Sequence, residues 1–245
     1  MSYILKIEKL KKSFGKKEAV RGISFSLRNG EVVGLLGPNG AGKTTTFYMI
    51  TGIIKPDSGR IFLDDRDISL IPIYERAKLG LGYLPQEPSI FRKLTVRDNI
   101  KAVLEIKYEN DKEALSKIDE EVNEILKEFN LQEFADREGY KLSGGERRRA
   151  EIARAIALKP IFMLFDEPFA GIDPLAVVEL KKTIKHLKDK GIGVIITDHN
   201  VRETLSITDR AFIIHNGKLL AEGSPEQLIN DKIVREAYLG EEFKL

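Results

Sequence analysis

The sequence predicts an α/β protein with a mostly parallel core sheet, a small antiparallel β layer and an inserted helical subdomain. Three observations carry that reading. Residues 31–36, 161–165 and 192–197 are short apolar runs rich in Val, Ile, Leu and Phe. They do not alternate with polar residues, as expected for strands covered on both faces. Strand-like and helix-like segments take turns along much of the chain. Between about residues 88 and 158 the pattern turns helical, with Ile118, Val122, Ile125, Leu126 and Phe129 on one face at 3.6-residue spacing.

In chain order, the stretch to about residue 30 and residues 60–64 read as shorter strands joined by turns, the antiparallel layer. Residues 31–36 form the first core strand, followed by a glycine-rich loop and a helix over residues 45–51. The helical insertion follows, then the core strands at 161–165 and 192–197. Asn216-Gly217 separates strand-like residues 211–214 and 218–220, a hairpin signal because such a turn needs positive φ at both positions. The remaining tail reads as mainly helical. We expect one domain over residues 1–245. Its core and β layer would span 1–87 and 159–215, the helical subdomain 88–158, and the hairpin and tail 216–245.

Ligands of open α/β sheets bind beyond the carboxyl ends of the strands. The residues from Gly37 onward, Asp166 with Glu167, and Asp198 with His199 are therefore expected to meet there.

Composition narrows the class. Forty Lys and Arg stand against 38 Asp and Glu in 245 residues, and a net charge of +2 gives no long-range attraction to a polyanion. Nucleic acid is not the expected partner. With no Cys there is neither a disulfide framework nor a thiolate metal site. The longest apolar runs fall far short of the ~20 residues of a spanning helix. With no signal-like N-terminus, a cytoplasmic location is expected.

Gly37-Pro38-Asn39-Gly40-Ala41-Gly42-Lys43-Thr44, followed by Thr45, fits the phosphate-loop pattern between a strand and a helix. Glycines let backbone N–H groups wrap phosphates, and the helix N-terminus adds positive potential. Lys43 would reach the terminal phosphates and Thr44 would hold Mg2+. The spacing implies binding of a nucleotide. The apolar run ending at Phe165 delivers Asp166, to support the metal, and Glu167, to polarise an attacking water.

Leu142-Ser143-Gly144-Gly145-Glu146 narrows the class further. Ser143 with Glu146 is a capping-box pattern, and two glycines at a helix N-terminus make an anion site. This stretch resembles the signature of the ABC ATPases. The resemblance implies that Ser143, Gly144 and Gly145 close on ATP held by a second copy in a head-to-tail dimer. It also implies roles for Gln86 in sensing metal and water, for Asp173 in communication across the dimer, and for His199 at the terminal phosphate. Asp173 before Pro174 is equally a helix N-cap. Phe14 stands where the family carries an adenine-stacking aromatic, and a core Phe is the competing reading. Glu146 replaces the family's usual Gln. His186 and His215 read as structural.

Within that family, residues 82–96, 142–155, 166–174, 196–205 and 238–245 resemble the ATPases of lipopolysaccharide export. The resemblance implies a peripheral place at the cytoplasmic face of the inner membrane, beneath the transmembrane pair LptF and LptG with LptC. Pro88, Ile90, Phe91 and Leu94 suggest a groove for a partner's helix, against the reading of a buried cluster. The run Arg147-Arg148-Arg149 reads as an ordinary solvated helix face. Two alternatives stand beside this reading. One is the ATPase of a branched-chain amino-acid importer. The other is a DNA-repair or chromosome-associated ATPase, disfavoured because those carry long insertions between motifs that lie only about 100 residues apart here.

Overall fold

The structure is a computed structural model that describes residues 2–240 and 243. Glu241, Glu242, Lys244 and Leu245 of the terminal motif lie outside the described residues.

The antiparallel layer is built from β1 (Ile4–Phe14), β2 (Lys17–Arg28), β4 (Ser58–Leu63) and β5 (Arg66–Asp67), in the order β2-β1-β4-β5. Alternation orients it: Val20, Ile23, Phe25 and Leu27 of β2 and Leu5, Ile7 and Leu10 of β1 are buried. The β1 register shifts between Ile7 and Leu10, where Lys9 takes φ 46°.

The core sheet has six strands in the order β10-β9-β3-β8-β7-β6. They are β3 (Val32–Leu36), β6 (Leu81–Leu84), β7 (Phe162–Asp166), β8 (Gly193–Thr197), β9 (Arg210–His215) and β10 (Lys218–Gly223). All neighbours run parallel except the β9–β10 hairpin. Its Asn216-Gly217 turn has positive φ at both residues, 48° and 76°. β10 is thus an edge of the core sheet rather than part of an appended tail. β6, a four-residue strand stopped at Pro85, was hidden in the sequence by its Gly and its brevity.

The unbroken apolar character of the central strands has a direct cause. Alternate residues face opposite cores: Val32, Met163, Phe165, Val194 and Ile196 pack toward the helical subdomain and α7 (Pro174–Asp189). Val33, Leu35, Phe162, Leu164 and Ile195 pack toward the β layer and α1 (Lys43–Thr51). Both faces of the sheet are dry.

Residues 88–158 hold α3 (Val96–Lys107), α4 (Lys112–Ser116), α5 (Ile118–Glu128) and α6 (Gly144–Ile156), with irregular chain before α3 and two short 3-10 helices, Gln132–Phe134 and Gly139–Lys141, between α5 and α6. Ile118, Val122, Ile125, Leu126 and Phe129 are all buried in the shared core. The remaining helices are α2 (Ile73–Lys78), α8 (Val201–Leu205), α9 (Pro225–Asn230) and α10 (Lys232–Val234), which runs into a π-helical turn at Arg235–Leu239.

Candidate functional site: a phosphate loop facing two carboxylates

The loop from Gly37 to Gly42 joins β3 to α1, and its glycines are dictated by backbone contacts. Gly37 (φ 148°) lies so close to the chain that an added Cβ would stand 2.0 Å from the Ile214 carbonyl oxygen. At Gly42 (φ 106°) it would stand 2.5 Å from the Ala19 carbonyl oxygen. α1 starts after Gly42 with no side-chain cap, so its first N–H groups remain open to an anion. Lys43 Nζ donates to the carbonyls of Gly37 at 2.6 Å and Pro38 at 3.0 Å. Burial pushes the Lys43 ammonium below its ordinary pKa, against the pull of Glu167 and Asp198.

The carboxylates sit across from this loop. Asp166 ends β7, opposite Thr197 at the end of β8 in the parallel register, and is 4% exposed. The Thr197 hydroxyl donates to Asp166 Oδ1 at 3.0 Å. Glu167 follows with φ 42°, a left-handed conformation rare for a residue with a side chain. Its N–H bonds to the Thr197 carbonyl at 2.7 Å, which holds the turn. Glu167 Oε2 accepts from Gln86 Nε2 at 3.1 Å and lies 3.3 Å from His199 Nδ1. The buried Asp198 accepts from the N–H groups of Phe169 at 2.9 Å and Asn200 at 2.7 Å, shaping the turn that carries His199. The sequence-distant motifs expected at the strand ends are thereby brought together.

This donor set suits a cation shared with phosphates. Among the described residues there is no group of three or more His, Cys, Asp or Glu fit to hold a metal alone. One buried carboxylate and a hydroxyl beside an anion cradle match Mg2+, which keeps water and substrate oxygens as ligands.

The signature lies elsewhere. Ser143 accepts from the Glu146 N–H and the Glu146 carboxylate accepts from the Ser143 N–H at 2.8 Å, the capping box read from sequence. Ser143, Gly144 and Gly145 line a cleft of 360 Å³ with Asp173, Leu175 and Ala176 of the neighbouring helix. No residue of the phosphate loop lines it. Asp173 caps α7 by accepting from the Ala176 N–H at 3.0 Å. A second cleft of 450 Å³ joins Gly144 and Asp173 to Gln86 and Glu167.

Two sequence expectations need correction, and one competing reading falls. Phe14 is 52% exposed with Lys12 Nζ 5.8 Å from its ring centre, so the core reading fails. Ile90 is 5% exposed and belongs to the helical core, leaving Pro88, Phe91 and Leu94 to face outward. The arginine run is not uniformly solvated: the Arg148 side chain is largely buried, donating to the Pro85 carbonyl at 2.9 Å and to Glu151 at 3.3 Å.

That arginine belongs to a grip the sequence reading missed. Glu151 accepts from the N–H groups of Ser89 at 2.7 Å and Ile90 at 3.2 Å. Arg154 donates to the Ser89 carbonyl and hydroxyl at 2.8 and 2.9 Å and lies 5.0 Å from the Phe91 ring centre. Arg148, Glu151 and Arg154 are three apart on α6, and that spacing was the signal available. The segment after Gln86 is therefore tied to the signature helix.

The sequence profile of the ABC transporter family matches residues 20–170. A second profile, described as a branched-chain amino acid ATP-binding cassette transporter, matches residues 218–244. The chain is 53% identical to "Lipopolysaccharide export system ATP-binding protein LptB" of Acidithiobacillus ferridurans, covering 100% of both chains. It is 52% identical to the protein of the same description from Escherichia coli K12, covering 98% of this chain and 99% of that one. Among solved structures, an ATP-binding cassette of an ABC transporter in its ADP conformation, MJ1267, shares 31% identity with TM-score 0.86, covering 98% of this chain and 99% of that one. A dimeric post-hydrolysis cassette bound to ADP and Pi, MJ0796, shares 25% identity with TM-score 0.77, covering 90% and 98%.

Proposed function

The chain belongs to the ABC transporter ATP-binding family, and from that premise we propose that it drives lipopolysaccharide export as the ATPase subunit beneath transmembrane partners. The observation that carries the hydrolytic part is the meeting of Gln86 and His199 at the Glu167 carboxylate, beside the phosphate loop. Whole-length identity to two lipopolysaccharide export relatives supports the substrate. The importer alternative, which shares the profile matched by residues 218–244, is not favoured against whole-length likeness to lipopolysaccharide export relatives, and neither is a DNA-associated role.

The residues divide the work. The N–H groups from Gly37 to Thr45 cradle the phosphates of ATP, and Lys43 exchanges its loop carbonyls for the terminal phosphates. Thr44 and Asp166 would hold Mg2+, which neutralises phosphate oxygens when bound, with Gln86 facing it. Glu167 takes the proton of the attacking water, with Gln86 and His199 orienting it. Phe14 stacks on adenine. Ser143, Gly144 and Gly145 close on ATP in a second copy, as in a head-to-tail dimer, and Asp173 links the two sites. Pro88, Phe91 and Leu94 receive a helix of the transmembrane pair, LptF and LptG with LptC, at the cytoplasmic face of the inner membrane. Coupling runs through the loop that joins Gln86 to this groove. No helix among the described residues is long and apolar enough to cross a membrane.

Glu167→Gln should retain ATP binding and lose on the order of 10² to 10⁴ in turnover, the worth of a positioned base. The same variant and the wild type serve as tagged bait from membranes with ATP. Recovery of an LptF and LptG pair supports the export reading. A different permease pair would discard lipopolysaccharide while keeping the ATPase mechanism.

A further inference from the structure

β1 runs past the start of its neighbour β4: their last paired residues are Lys11 and Ser58, so Lys12, Ser13 and Phe14 extend beyond it. Asp57, just before β4, serves these residues in place of a strand. Its N–H bonds to the Lys11 carbonyl at 2.9 Å. Its Oδ2 accepts from the Ser13 N–H and its Oδ1 from Lys12 Nζ, both at 2.7 Å. The Lys12 bond, then the Ser13 bond, holds the Asp57 carboxyl below its ordinary pKa, so it meets both donors as the anion at neutral pH. The other edge of this segment is fixed to the phosphate loop. Lys12 pairs with Val20 of β2 and Ser13 with Glu18, so Ala19 bulges out of the register. The Ala19 carbonyl oxygen stands against Gly42 and Gly217, where an added Cβ would be 2.5 and 2.8 Å from it. Phe14 pairs with Lys17 at the closed end of the same hairpin. The Lys12 side chain is largely buried and reaches over the exposed Phe14 ring, with Nζ 5.8 Å from the ring centre. A cation held on one face of a ring leaves the other face for a second flat group.

We propose that Asp57 and Lys12 are positioning residues for the nucleotide base: Asp57 pins the end of β1 beside the phosphate loop, and Lys12 backs the Phe14 ring so that its free face meets the adenine. The inference rests on the reading that Phe14 stacks on adenine. A solvent-screened pair of this kind contributes little to folding. Its effect is on binding, because a ring already held in place has less freedom to lose when the base arrives. Phosphate recognition lies outside this arrangement, since Lys43 and the open N–H groups belong to α1 and the loop before it.

The test compares the affinity of the full chain for a non-hydrolysable ATP analogue with that for inorganic tripolyphosphate, both with Mg2+, by titration calorimetry. Tripolyphosphate carries the phosphates without the base, so it reports a folded phosphate loop and is blind to Phe14. Phe14→Ala should weaken binding of the analogue about tenfold, the scale of base–aromatic stacking, and leave tripolyphosphate unchanged. Asp57→Ala and Lys12→Met should each weaken the analogue about threefold, a part of that stacking contribution, again without effect on tripolyphosphate. Asp57→Asn keeps an acceptor for the Ser13 N–H and should recover part of the loss. In the Phe14→Ala background neither change should have a further effect, the non-additivity expected of groups acting through one another. Full analogue affinity in Asp57→Ala or in Lys12→Met overturns the positioning role of that residue and leaves the stacking reading standing. Unchanged affinity in Phe14→Ala overturns both. Equal losses for the two ligands would mark a general loosening of the site and also overturn the proposal. Should Asp57→Ala fail to fold, Lys12→Met alone carries the comparison, and no loss there is fatal to the proposal.

Discussion

Glu167 shows at the scale of one residue how position and strain coincide. Its left-handed backbone at φ 42° turns the carboxylate toward Gln86 and His199 while its N–H stays bound to β8. The pair of acids was legible because an apolar strand ended in them, but the conformation was not, since nothing in a Glu signals positive φ. Glu146 makes a complementary case. As the third residue of α6 it closes the capping box and lies 3.5 Å from Arg137 in a half-exposed pair. Glu146→Gln keeps the box, because Gln serves at that position, and loses only a pair worth under ~1 kcal/mol. Urea unfolding should therefore shift by no more than about that amount. A large fall in ATP turnover at unchanged stability would show that the carboxylate itself meets the nucleotide.

Elements obey local rules that could be read directly. Ser143 opens α6 and Asp173 opens α7, the latter with Pro174 at its first position, as the sequence indicated. Asp173 has two roles that substitution can separate. Asp173→Ala should cost ~1 kcal/mol of stability through the lost cap, whereas Asp173→Asn should keep it, since Asn caps as well as Asp. If Asp173 also links the two ATP sites, both variants should lose cooperative ATP turnover, and normal turnover in Asp173→Asn would confine it to capping. The face of α6 was less legible. Three arginines in a row suggest solvent, but only the fold shows that Arg148, with Glu151 and Arg154, turns inward to grip residues 85–90. Arg76 gives another example. It is 1% exposed and donates to the carbonyls of Met49 and Ile50 at the end of α1 and to those of Ile71 and Ser69. Burial lowers its pKa to about 10, which still leaves it charged at neutral pH, a cation at the negative end of the phosphate-loop helix.

For the whole molecule, the central sheet collects the phosphate loop, Asp166, Glu167 and His199 at one end, while the signature lines one cleft of its own and, through Gly144, a second shared with Gln86 and Glu167. The outward face after Gln86 is the docking surface proposed for a membrane partner. Phe91 is 51% exposed there, with Arg154 stacked against it. Phe91→Ala should weaken docking by about 2 kcal/mol, the size of an aromatic hot spot, and so lower recovery of transmembrane subunits from membranes. ATP turnover of the isolated chain is the control, and undiminished recovery would place the docking surface elsewhere.

Sequence alone determined the fold class, the phosphate loop, the paired acids, the signature cap and the hairpin turn. Each depends on a residue type meeting a backbone demand within a few positions: glycine at positive φ, a short polar side chain at a helix start, an apolar run where both sheet faces are covered. Tertiary structure decided that Ile90 is core and Phe14 is not, that β6 and β10 complete the sheet, and that the Thr197 hydroxyl bonds the buried Asp166. Those outcomes depend on how side chains from distant elements pack around one another, and neither helical nor strand periodicity carries information about which distant partner a side chain will meet.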